Sequence, residues 1–217
     1  MATLTDIYPL YALQVTAGDL QLRAVRDEDI PELVALAQDG IHDPADMPFF
    51  FPWTDAPSDE LPINMARHYW SSRAANTRDK WSLECAVRRD GELLGVQAID
   101  TEHFLVTRTG ETGSWLARRF HGQGIGTRMR TAMCILAFDH LDFEEVTSGA
   151  FADNPASLGV SRKVGYRDNG KTRLKRRDAD RAVLRRLVLQ PDDLIRGDLR
   201  IEVEGLAEVR AFIGLDG

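Results

Sequence analysis

The chain has 217 residues, 43% hydrophobic and 28% charged, enough to bury one substantial core, so a single domain over 1–217 is expected. Its net charge of −7 argues against general nucleic-acid binding; Cys85 and Cys134 are too few for a disulfide framework, and the five histidines form neither His-Glu-x-x-His nor a Cys pairing, so no metal is expected. With no apolar run near 18 residues and no secretory pattern at the start, no membrane partner and a cytoplasmic location are expected.

The first predicted elements are a strand over 20–25 and a helix over 27–37, with Pro31 near its first turn and Ile30, Leu33, Val34 and Ala37 on one face. The segment 41–53 follows, with four aromatics among three prolines, which cannot be a regular helix. Ser58 can cap a second helix through about residue 72, with Leu61, Met65 and Tyr69 inward. Stretches 81–87 and 92–99 read as a hairpin about Asp90-Gly91. A short strand over 111–116 then leads into Arg119-Phe120-His121-Gly122-Gln123-Gly124-Ile125-Gly126-Thr127. Helical periodicity follows, with Met129, Ala132, Met133, Leu136 and His140 on one side. A strand over 146–151, a helix over 155–163 and strands over 166–174 and 182–189 complete the order; the tail after Pro191 has no clear signal. This is a mixed α/β arrangement with one central sheet.

The glycine run carries the most chemistry. Glycine tolerates positive φ and has no Cβ, so a ligand can approach the main chain closely, and the following helix adds unpaired N–H donors and partial positive charge. Gly122, Gly124 and Gly126 give G-x-G-x-G, not the G-x-G-x-x-G of a dinucleotide site, and no Gly-Lys-Ser/Thr triplet exists for a P-loop. The plain alternative is a flexible strand-to-helix turn.

With Arg119 the run fits Arg/Gln-x-x-Gly-x-Gly/Ala. Together with Glu-x-Gly-x-Trp-Leu at 111–116, and with Asn154-Pro155-Ala156-Ser157 leading to Gly165-Tyr166, it resembles the GNAT superfamily of acyl-CoA-dependent N-acyltransferases, RimJ/RimL type. The likeness spans about 18–190, leaving 191–217 as an extension. It implies a GNAT fold, a central mixed, mostly antiparallel sheet flanked by helices, and direct attack of a primary amine on the thioester of acetyl-CoA or another acyl-CoA without a covalent enzyme intermediate. Segment 41–53 further resembles a group thought to use succinyl-CoA, so an N-succinyltransferase of the same fold is one alternative, and a non-catalytic acyl-CoA-binding sensor module is the other.

What the resemblance implies for residues is specific. Backbone N–H groups near Trp115 and Leu116 would polarise the thioester. Arg118, Arg119, Gly122, Gln123, Gly124, Ile125, Gly126 and Thr127 would hold the diphosphate, with Asn154 on the pantetheine arm or orienting the next helix. Glu111 would be the base, with His121 a rival. Ser157 would stand at the coenzyme sulfur as the acid. Ala117 and Arg118 replace an acidic pair that such proteins often carry. His42, Asp43, Met47, Phe49 and Phe50 would line the acceptor and acyl pocket, although the same aromatics also suit a satellite core. The acceptor class is a small-molecule amine or a protein N-terminus, and a homo-oligomer stays open. The basic block between Lys171 and Arg186 reads as a solvated hairpin edge or as a surface for an acidic acceptor or coenzyme phosphates.

Overall fold

The structure is a computed structural model that describes residues 1–177 and 180–216. In chain order the elements are α1 (Leu4–Ile7), β1 (Gln14–Ala17), β2 (Leu20–Ala24), α2 (Ile30–Asp39), α3 (Leu61–Ala75), β3 (Ser82–Arg89), β4 (Glu92–Thr101), α4 (Phe104–Thr107), β5 (Thr109–Leu116), α5 (Ile125–His140), β6 (Glu145–Phe151), α6 (Pro155–Val164), β7 (Arg167–Lys175), β8 (Arg181–Leu189), β9 (Glu202–Glu204) and α7 (Leu206–Ile213). The strands form one sheet in the order β7-β8-β6-β5-β4-β3-β2-β1-β9, antiparallel throughout except where β5 meets β6. The mixed, mostly antiparallel sheet is as expected.

Local chemistry accounts for most boundaries. Asp90 and Gly91 both take positive φ, 52° and 84°, as the two-residue turn of the β3–β4 hairpin requires. Asp29 ends a 3-10 turn ahead of α2; buried to 1% exposure, it is satisfied by Arg23, Arg88 and the Arg26 N–H. Ser58 does not cap α3. That helix starts at Leu61 without a side-chain cap, and the Ser58 carbonyl instead accepts a hydrogen bond from Gln38.

Helices cover both faces of the sheet. Glu84 on β3, bonded to His68 of α3, stands opposite Ala98, whereas the neighbouring Gln97 bonds Arg130 of α5. Successive strand residues point to opposite faces, so α2 and α3 lie on one side and α5 and α6 on the other. The unassigned tail is built in. β9 pairs with β1 at the sheet edge, and Val209 and Ile213 of α7 are fully buried.

The feature that positions the site is a split in the sheet. β5 and β6 pair in parallel from Thr109↔Glu145 to Thr112↔Ser148, and there the pairing stops, although β5 runs on to Leu116 and β6 to Phe151. Each strand stays bonded on its outer side, β5 to β4 and β6 to β8. The two facing edges therefore diverge as a fork.

Candidate active site

At the open end of the fork lies the glycine loop. None of the six consecutive N–H groups from Gly122 to Thr127 donates to another residue among the described backbone bonds. Gly122 and Gly124 have φ of 76° and 77°, a region where L side chains are strained, and a Cβ at either would meet no atom within 4 Å. Gly124 caps α5, so three of the free donors belong to its first turn, where the helix dipole adds positive potential. Such converging donors suit an anion. At Gly126 a Cβ would sit at ordinary contact distance, 3.5 Å from Val160 on α6, so packing alone does not require glycine there.

Loop and fork open into one cleft of about 880 Å³. Its β5 wall is Thr112 to Leu116, and Gly149 faces it from β6. Of the residues expected for the coenzyme, Trp115, Leu116, Arg118, Gly122, Gly124, Ile125, Gly126, Thr127, Asn154 and Ser157 all line this cleft. Asn154 caps α6, its Oδ1 accepting the Ser157 N–H at 3.0 Å, so its carbonyl orients the helix while its amide nitrogen stays available. Ser157 Oγ has no partner among the described hydrogen bonds and faces the cleft beside it.

Three expected residues stand outside that lining. Arg119 turns away: its guanidinium pairs with Asp39 at 2.7 Å and Glu92 at 3.4 Å and stacks on Phe120. Gln123 bonds the Arg119 carbonyl and braces the loop. Glu111 is exposed on the α3 side of the sheet, with Oε1 3.6 Å from where a side chain at Gly149 would begin. It thus reaches across the fork from the face opposite α5. His121, the rival base, bonds the Leu116 carbonyl at 3.0 Å. Burial pushes the thiols of Cys85 and Cys134 up to about 12 and about 11, so neither is a thiolate nucleophile near neutral pH.

The segment 41–53 forms the other wall. His42, Asp43, Met47, Phe49 and Phe50 all line the cleft. His42, Phe49, Trp53 and Trp115 run as an aromatic chain, with ring centroids 5.6, 5.2 and 5.7 Å apart, which joins the loop to β5. The His42 ring is fixed by Thr54 Oγ1 and the Asp43 carbonyl. Pocket wall and satellite core both hold in part, since Met47 is buried while Phe50 is 65% exposed.

The basic block turns out to be divided. Arg177 clamps the loop with five bonds, two to Asp55 and one each to the carbonyls of Pro44, Ala45 and Asp46. Arg176 pairs with Asp153 and Asp180 over the Phe151 ring. Asp178, which falls within that block, lies outside the described residues. Sequence reasoning missed Arg130, Lys163, Gly113 and Gly159, which also line the cleft. A signal for Arg130 existed: the one charged residue inside the mostly apolar helix run from Met129 to Phe138.

Known proteins share this architecture. Residues 19–167 match the family described as Acetyltransferase (GNAT) domain. The Bacillus subtilis (strain 168) protein named "Putative ribosomal N-acetyltransferase YdaF" is 32% identical over 93 residues, 42% of this chain and 49% of that protein. The chain thus spans about half the length of the curated relative it matches. Mycobacterium smegmatis RimJ in complex with CoA-disulfide superposes with a TM-score of 0.72 at 16% identity, over 94% of this chain and 95% of that one. A Salmonella typhimurium acetyl transferase, described as modifying the N-terminal serine of 50S ribosomal subunit protein L7/L12, gives 0.65 at 17% identity over 80% and 95%. At these identities the two structures establish likeness of fold.

Proposed function

The chain belongs to the acetyltransferase (GNAT) family, and from that premise we propose that it transfers the acetyl group of acetyl-coenzyme A to a primary amine. The observation that carries this reading is the set of six free N–H groups at one end of a cleft whose other end is the β5–β6 fork. A diphosphate suits the first and an amide-bearing arm the second, because bare strand edges offer backbone donors and acceptors to its amides. Arg118, 60% exposed, and Lys163 supply cations at the rim. Arg119 and Gln123 serve the diphosphate indirectly, by bracing the loop.

The proposed chemistry gives each group a role. Glu111 takes the proton as the amine nitrogen bonds to the thioester carbon, directly or through one water. The backbone N–H groups near Trp115 and Leu116 stabilise the oxygen as it becomes an anion. When the C–S bond breaks, Ser157 Oγ gives its proton to the departing sulfur and is reprotonated from solvent. His42, Asp43, Met47, Phe49 and Phe50 hold the acceptor. We take that acceptor to be a protein N-terminus, supported by the named roles of the relatives and by the openness of the aromatic wall to the surface at Phe50.

Free thiol released from acetyl-CoA and from succinyl-CoA, measured against a panel of peptides, polyamines and small amines, tests the reading. Turnover of acetyl-CoA with a peptide α-amine is expected. Preference for succinyl-CoA would replace the donor, and absence of thiol release from every pair would overturn the transferase reading.

A further inference from the structure

Arg130 is the one strongly buried arginine among the described residues, 4% exposed, and it sits at the crotch of the fork. Its Nε–H donates to Gln97 Oε1 on β4 at 3.3 Å, Nη1 to Ser148 Oγ on β6 at 3.2 Å and Nη2 to Ser114 Oγ on β5 at 2.7 Å. Ser148 belongs to the last paired position of β5 and β6, and Ser114 lies two residues beyond it on β5. One side chain thus ties three strands together where two of them part.

Its partners are all neutral. No carboxylate lies within ion-pair distance of Arg130 among the described residues. The titratable groups nearest it, Cys134 on its own helix and Tyr166 after α6, are both kept neutral by burial at physiological pH. A buried guanidinium without an anion is costly, and five N–H donors with three assigned leave two to spare. Residues that break such a rule concentrate where a reaction uses the charge. Arg130 lines the cleft together with Thr112, Ser114 and Met129.

We infer that Arg130 is a positioning residue of the transfer step: it sets the width of the fork and supplies uncompensated positive charge where the thioester lies. The inference rests on the acyl-transfer reading. Negative charge develops there on the carbonyl oxygen and then on the sulfur, and a fixed cation in a water-poor site favours both. The diphosphate cradle at the start of α5 uses backbone N–H groups, whereas Arg130 acts through its side chain, so a change at Arg130 is expected to leave the cradle in place.

The test compares Arg130→Met and Arg130→Lys with the wild type, adding the double variant Ser114→Ala/Ser148→Ala in case Arg130→Met fails to fold. The first readout is the thiol of bound coenzyme A, titrated by thiolate absorbance, which needs no turnover. Its pKa is expected below that of free coenzyme A in the wild type and Arg130→Lys, and restored toward the free value in Arg130→Met. The second is a kinetic split: kcat down about 100-fold in Arg130→Met, with the KM for acetyl-CoA changed less than about fivefold and Arg130→Lys within about tenfold of wild type. The double variant keeps the lowered thiol pKa but loses kcat as the fork relaxes. An unshifted thiol pKa in the wild type, or equal damage by Met and Lys, overturns the inference while leaving the transferase reading intact. Failure of the wild type to bind coenzyme A at all overturns both.

Discussion

The glycine-loop end of the cleft is made of main chain, whereas its 41–55 wall is made of side chains. At the first, six N–H groups from Gly122 to Thr127 have no partner among the described backbone bonds, held by the positive φ of two glycines and the start of α5. At the second, the rings of His42, Phe49, Trp53 and Trp115 meet in sequence, edge-on or tilted, and Arg177 holds the loop from a hairpin more than 120 residues away. A backbone site depends on where glycines fall, so it commits the cleft to one kind of ligand. A side-chain wall can be rebuilt by substitution while the donor end stays fixed. On the proposed reading, the cleft separates the constant half of an acyl transfer from the half that chooses the acceptor.

The contrast is broken most severely on the α5–α6 side of the cleft. Gly159 lies on the cleft-lining face of α6 and a Cβ there would meet nothing within 4 Å, so Gly159→Phe is expected to fold with an unchanged Tm while filling the space the donor arm needs. Affinity for coenzyme A should fall by about 100-fold, a loss of roughly 2.7 kcal/mol, which calorimetric titration would show. Substitution at Gly124 is a poorer probe, since an L side chain at φ 77° adds strain of about 1–2 kcal/mol.

Next in size is Glu111→Gln. Because Glu111 lies outside the cleft lining but reaches across the fork, the expected effect is on chemistry alone: kcat down by about 100-fold, as for loss of a general base, with coenzyme affinity kept. Stopped-flow turnover and titration on the same sample separate the two, and an unchanged kcat would pass the role of base to another group.

Arg177→Ala probes the other wall. Releasing the clamp should raise the acceptor KM by about fivefold, a modest change as for an exposed ion pair, and leave acetyl-CoA binding alone. An equal loss for donor and acceptor would mean that the two ends are not independent.

The smallest effect concerns pH. Hydrogen bonding to Glu84 raises the pKa of His68, so the bond from α3 to β3 stabilises the fold fully below the ordinary imidazole value and is lost as pH rises through the raised one. With His68 largely exposed, a few tenths of a kcal/mol is expected. A Tm difference between wild type and His68→Gln at pH 5.5 that vanishes at pH 8.5 would confirm it.

Legibility in the sequence follows the same division. The cradle could be read because its residues are contiguous and each glycine spacing has a backbone meaning; the Asp90-Gly91 turn and the α5 face were readable for the same local reason. β9 and α7 were not, since a three-residue strand of alternating acids gains its identity only by pairing with β1. Arg119 fits a phosphate-loop pattern, yet Asp39 and Glu92, distant in sequence, draw it aside. Arg177 looked like one charge in a basic block, and its partners at 44–46 and 55 become visible only once the hairpin and the loop are folded together. The fork itself has no sequence signature: it is the place where a ladder stops.

The central claim is that the free N–H groups of the loop and the bare edges of the fork form one donor site. Isothermal titration of the wild type and Gly159→Phe with acetyl-CoA tests it most directly. One-to-one binding by the wild type and its near-complete loss in the variant, at equal Tm, is the predicted result; equal affinity in both proteins, or no heat from the wild type at millimolar acetyl-CoA, would contradict it.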